Sequence, residues 1–144
     1  MGFITQVGYR YNEVGGTYKW RHDPGHWYTW LSLYGSFDYR REQNGNLLHK
    51  AWTVRMNYEG PLQSHAHWYG ELGTDRYQGK EFRMNWMQGC FGLRPIASLF
   101  VHLYWRYGDQ IDFANVRPGK QFQINPSFTL NLGLHMQIEI AHTF

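Results

Sequence analysis

The C-terminal stretch of the chain alternates. From Leu134 to Phe144 the even positions read Leu134, Met136, Ile138, Ile140, His142 and Phe144, and the odd positions His135, Gln137, Glu139, Ala141 and Thr143. A strand turns successive side chains to opposite faces, so this period of two predicts a strand with one apolar and one polar face. The pattern recurs upstream. Between Trp27 and Arg40 the apolar set is Trp27, Leu31, Leu33, Phe37 and Tyr39, against Ser32, Tyr34, Ser36, Asp38 and Arg40. Asn44-Gly45 is a hairpin signal leading to a third strand, Leu48, Trp52, Val54, Met56 and Tyr58 against His49, Thr53, Arg55, Asn57 and Glu59. Gly60-Pro61 turns it into a fourth, Ala66, Trp68, Gly70 and Leu72 against His65, His67, Tyr69 and Glu71.

The remaining segments are less even. Phe3, Thr5, Val7, Tyr9 and Tyr11 predict a first strand that ends at Gly15-Gly16, and Thr17 to His26 reads as a long loop or short ribbon. The fifth strand begins with Phe82, Met84 and Trp86 on its apolar side but continues with Met87, Gly89, Phe91 and Leu93. A β-bulge near Gln88-Gly89 would account for that change of phase. After Arg94-Pro95 the sixth strand carries Leu99, Val101, Leu103, Trp105 and Tyr107 against Ser98, His102, Tyr104 and Arg106. Gly108 to Gly119 reads as a polar excursion. The seventh strand carries Phe122, Ile124, Phe128, Leu130 and Leu132 on its apolar face, and Gly133 turns it into the last.

About eight alternating strands in 144 residues predict a single all-β domain over residues 1–144, an antiparallel up-and-down β-barrel. Composition decides which way out the barrel faces. The chain holds 7 Trp, 11 Tyr and 9 Phe, yet its mean hydropathy is −0.61. An apolar exterior around a polar interior accommodates both, which makes the barrel transmembrane rather than lipocalin-like. No run approaches the roughly 18 apolar residues of a spanning helix. The rings Trp27, Tyr39, Trp52, Trp68, Trp86, Trp105, Tyr107 and Phe144 are then expected to form aromatic girdles at the membrane interfaces. The polar face supplies an expected lumen network of Arg55, Glu59, His65, His67, Glu71, Arg83, His102, Arg106, His135 and Glu139. Pairs such as Arg55 or Arg106 with Glu71 or Glu139 would plug it. A net charge of +3, with the signs interspersed, gives no nucleic-acid signature.

Candidate chemistry is sparse. His65-Ala66-His67 with Glu71 is the most enzyme-like cluster, because positions two apart share a strand face. The same alternation places every such histidine among the lumen residues, so no catalytic residue, metal ligand or cofactor is expected. Ser64 and His65 are sequence neighbours and point to opposite faces, which spoils the dyad that a lipid deacylase or acyltransferase would need. Asp109 and Asp112 lack the carboxylate density of a Ca²⁺ loop, and Cys90 reads as a small packing residue. Lys19, Arg21 and His22 are candidates for meeting lipid phosphates.

The runs Lys19 to Trp27 (KWRHDPGHW), Asn57 to Ser64 (NYEGPLQS), Gly108 to Ala114 (GDQIDFA) and Asn125-Pro126-Ser127 resemble the C-terminal barrel region of certain uncharacterised outer-membrane proteins. In those proteins a carbohydrate-binding, family-nine-like domain precedes the barrel. The resemblance covers most of the chain and carries no catalytic set. It implies a segment of a larger barrel, with further strands after Phe144. Turn lengths suggest the same: tight connections at Gly60-Pro61, Arg94-Pro95 and Gly133 read as periplasmic, and the excursion at Gly108 to Gly119 as external. Both chain ends then fall on the outer side, whereas a terminal aromatic such as Phe144 would serve barrel assembly from the periplasm.

The expectation is therefore a porin-like protein of the Gram-negative outer membrane, acting as a membrane-embedded anchor or narrow-pore module. Its expected partners are the lipid bilayer, lipopolysaccharide and the barrel-assembly machinery. The alternatives are a lipid-modifying enzyme and a soluble lipocalin-like ligand-binding barrel.

Overall fold

A computed structural model describes residues 8–144. Phe3, Thr5 and Val7 lie outside the described residues. The rest form one antiparallel sheet of eight strands in sequence order, up and down. These are β1 (Tyr9–Arg21), β2 (Trp30–Glu42), β3 (Leu47–Gly60), β4 (Ser64–Tyr77), β5 (Lys80–Ile96), β6 (Leu99–Asp112), β7 (Arg117–Leu132) and β8 (Met136–Ala141). A 3₁₀ turn, Pro61–Gln63, joins β3 to β4. No ladder joins β1 to β8 among the described residues, so the sheet is open where a closed barrel was expected.

The sheet is a single layer, yet its most buried residues are small and mostly polar: Ala51 exposes 1%, Ser32 2%, and Ser36 and Thr53 4% each. With no second layer to cover them, they are shielded by neighbouring side chains as the sheet curls toward their face, which is therefore the inner one. The outer face carries Val14, Leu33, Trp52, Val54, Met56, Leu72, Met87, Phe91 and Phe128, all exposed. Cross-strand register aligns these in rows such as Val14, Phe37, Trp52, Leu72 and Tyr18, Leu33, Met56, Trp68.

At one end of the sheet this arrangement inverts. The outer row Asn12, Tyr39, Lys50, Thr74 and Arg83 is mostly polar and is followed by Arg10 with Arg41 and Arg76 with Glu81. Along β5 the apolar side switches inward, Phe82 and Met84 being buried with Ile111 against Tyr77 and Val116, next to the polar inner residues Arg40, His49 and Asp75. That inversion corrects the expected bulge near Gln88-Gly89. Pairing between β4 and β5 runs without a shift from Tyr77↔Lys80 to His65↔Gly92, so even positions of β5 face inward throughout. Only the apolar side changes. Arg83 consequently faces outward, and Trp86 faces inward, the reverse of the expected placements.

Other boundaries moved as well. β1 runs straight through Gly15-Gly16 because the ladder to Ser36 and Gly35 continues there, so Thr17–Arg21 is strand and not loop. Its inner residues include Tyr9, Tyr11 and Glu13. Trp27 lies in the β1–β2 connection, exposed and stacked on Tyr58 at 6.1 Å. Most of the supposed excursion at Gly108 to Gly119 is strand, leaving a turn over 113–116, whereas the longest connection, 22–29, lies at the Gly60-Pro61 end. The contrast in turn lengths therefore vanishes, and the assignment of sides drawn from it loses its support. His135 sits in the β7–β8 turn and not on the lumen face.

Candidate functional site

The inner wall is organised by register. Tyr34, Arg55, Tyr69, Gln88, Arg106 and Gln123 occupy one row across β2 to β7. The Arg55 guanidinium lies 5.2 Å from the Tyr34 ring centroid and 5.0 Å from that of Tyr69. Arg106 covers the Trp86 ring at 4.5 Å, and Tyr69 stacks on Trp86 at 4.9 Å. Glu71 accepts hydrogen bonds from the Tyr69 hydroxyl (3.2 Å) and Trp86 Nε1 (3.3 Å). Glu13 accepts from Tyr11 and Tyr34, each at 2.6 Å.

Thus Arg55, Glu71 and Arg106 lie on one wall as expected, but aromatic rings and hydroxyls satisfy them instead of each other. The expected plug pairs are not formed among the described residues. Glu59 and Glu139 are on the inner face and exposed, opposite His65 and Thr129. Of the expected interface rings, Tyr39, Trp52, Trp68, Trp105 and Tyr107 share the outer face through their register. Phe144 extends the β8 ladder, its N–H donating to the Ile124 carbonyl at 3.0 Å.

Two clusters escaped the sequence reading. Just beyond the polar border, outside the apolar belt, His49 stands between Asp75 (Nδ1 to carboxylate, 2.5 Å) and Asp38 (Nε2 to carboxylate, 3.2 Å). The hydrogen bond to Asp75 raises the His49 pKa, burial opposes that, and the charges of Asp75 and Asp38 add to the rise. Nearer the opposite end, the donor atoms of His65, Cys90 and His102 lie within 4.8 Å of one another. The only signal for either cluster was a shared polar face, because its members come from different strands and meet through register.

The minor candidates resolve plainly. Ser64 Oγ lies 3.3 Å from the Tyr58 hydroxyl, and His67 Nδ1 bonds Asn57 Oδ1 at 2.8 Å. Asp112 is engaged by Asn115 and Arg117, and Asp109 by the Asn85 N–H and Lys120, which separates the two carboxylates into different hydrogen-bond sets. Lys19 pairs with inward Ser32, and His22 packs against His26 at 4.1 Å in the connection. On the outer face Trp52, Trp68, Leu72, Met87 and Tyr107 line a shallow apolar groove with Asp109 and Lys120 at its rim. No protein-family model, curated protein or solved structure matches the chain.

Proposed function

We propose that the chain forms all or part of a transmembrane β-barrel in a bacterial outer membrane, serving as an embedded anchor or narrow-pore module with a polar inner wall. The observation carrying this reading is the inversion of polarity along the strands. Apolar side chains face outward on one side of the Asn12–Tyr39–Lys50–Thr74–Arg83 row, whereas beyond it the outer pairs are Arg10 with Arg41 and Arg76 with Glu81. Along β5 the apolar side switches from Met87 and Phe91 outside to Phe82 and Met84 inside. A uniformly aqueous surround gives no reason for such a switch, whereas the edge of a hydrocarbon layer does. A lipocalin-like barrel would put its apolar side inside throughout.

The open edges need covering, since unpaired backbone groups in lipid each cost several kcal/mol. Register brings Trp20 of β1 level with His142 beside β7, and the later strands drift steadily toward the Gly60-Pro61 end. A stagger of about ten residues would set Met136–Phe144 beside the first half of β1 with both faces preserved, a shear suited to an eight-strand barrel. The barrel region implied by the resemblance would instead supply neighbouring strands from outside this chain.

The test is heat modifiability. The chain folded in detergent should run as a compact gel band that shifts on boiling and should show β-type circular dichroism. A chain that stays monomeric and folded without detergent refutes the membrane reading.

A further inference from the structure

We propose that His65, Cys90 and His102 form a binding site for a thiophilic transition-metal ion of the Zn²⁺ or Cu⁺ class. The site needs only the β4–β5–β6 ladders and is independent of the membrane reading. His65 and His102 face each other across Gly92, and Cys90 lies two residues from Gly92 on the same inner face. A side chain at Gly92 would meet the His65 imidazole, its Cβ falling 2.7 Å from Nε2. The glycine therefore lets that ring lie across β5 toward β6.

All three donor atoms lie within 4.8 Å of one another, and all three residues are half-buried. Tetrahedral bonds of about 2.0–2.3 Å set donors roughly 3.5 Å apart, so side-chain rotations of about an ångström close the set. Phe100 stacks on His65 with ring centroids 5.9 Å apart, an apolar wall on one side. His67 stands beside the trio, its centroid 5.8 Å from that of His65. Its tautomer is fixed for ligation: Asn57 Nδ2 donates to Ser32 Oγ, so Asn57 Oδ1 accepts from His67 Nδ1–H, leaving the Nε2 lone pair free.

One thiolate and two imidazoles suit borderline-soft ions and do not suit Ca²⁺ or Mg²⁺, which demand oxygen. On binding, the Cys90 thiol releases its proton to solvent as sulfur bonds the metal. No internal disulfide competes, since Cys90 is the chain's single cysteine.

Titration of the full chain in detergent with Co²⁺ should show a one-to-one endpoint and thiolate-to-cobalt charge-transfer absorption, displaced by Zn²⁺. Cys90→Ser should abolish the absorption, and His102→Ala should weaken binding by about 100-fold or more. The double variant His22→Ala, His26→Ala, which removes the imidazole pair of the β1–β2 connection, should bind as the parent does. Should the variants fold poorly, alkylation of Cys90 in the unmodified chain decides the matter, because bound Zn²⁺ must slow it. Unchanged alkylation, or binding that survives Cys90→Ser and disappears with His22 and His26, overturns the proposal.

Discussion

Substituting Met56 by Arg separates a lipid-facing sheet from a water-facing one. Met56 is 42% exposed on the outer face, in the row Tyr18, Leu33, Met56, Trp68. It lies six residues from Lys50, the β3 member of the polar border. At about 3.3 Å per residue that is roughly 20 Å along the strand, and a tilt of about 40° reduces it to roughly 15 Å of depth. An outer-membrane apolar band is about 25 Å tall, so Met56 falls near its middle. There an arginine costs about 2–4 kcal/mol, against about 0–1 kcal/mol near the interface. Thr74→Arg, on the border row itself, supplies the interface value. Denaturant unfolding of both variants in lipid vesicles, followed by tryptophan fluorescence, measures the difference. If Met56 met water, its replacement would stay within about 0.5 kcal/mol of neutral. Equal costs at Met56 and Thr74 would refute the depth argument.

Closure can be read by cross-linking in a Cys90→Ser background: staggers of about eight, ten or twelve residues pair Ile138→Cys with Gly16→Cys, Val14→Cys or Asn12→Cys respectively. One of the three should form an intramolecular disulfide, and exclusively intermolecular products would make the seam a contact between copies. His49 supplies a pH dependence whose sign follows from its raised pKa. The stabilisation is complete below the unfolded value near 6.5 and is lost as pH rises through the higher folded value. The stability difference between the parent and His49→Gln should therefore shrink from pH 6 to pH 9, and a difference that grows with pH would sink the assignment.

The alternation that predicts strands is a local property, and β2, β3, β4, β6 and β7 were legible from it because packing on a sheet sorts side chains by parity. Two things were not. β5 looked bulged because parity was read from hydrophobicity, whereas its backbone keeps one parity from Phe82 to Gly92 and its surroundings change instead. Trp86 and Arg83 were misplaced for that single reason. The second gap is register. Asp38, His49 and Asp75 are far apart in sequence, and only the pairing of His49 with Asp75 and the proximity of Asp38 join them. Nothing in any one strand announces such a triad, and the same holds for His65, Cys90 and His102.

The inversion also explains why the triad stands where it does. On the Met56 side of the border the inner wall is polar, and its charges are satisfied sideways, Arg55 between two tyrosine rings and Glu71 between a tyrosine and a tryptophan. Around the border β5 and β6 contribute Phe82, Met84 and Ile111 to the inner face, which offer no side-chain hydrogen bonds. Asp38 and His49 fall at that junction with 8% exposure each, so the carboxylate loses most of its solvent. A buried carboxylate is tolerated there only with a cationic or donor partner, and His49 supplies one to two carboxylates at once. Lateral satisfaction of the wall charges has a second consequence under the proposed barrel. Arginines held over rings of their own wall need no partner across the lumen, so the described inner wall contributes no ionic plug, which favours the narrow-pore form of the proposal over the sealed anchor.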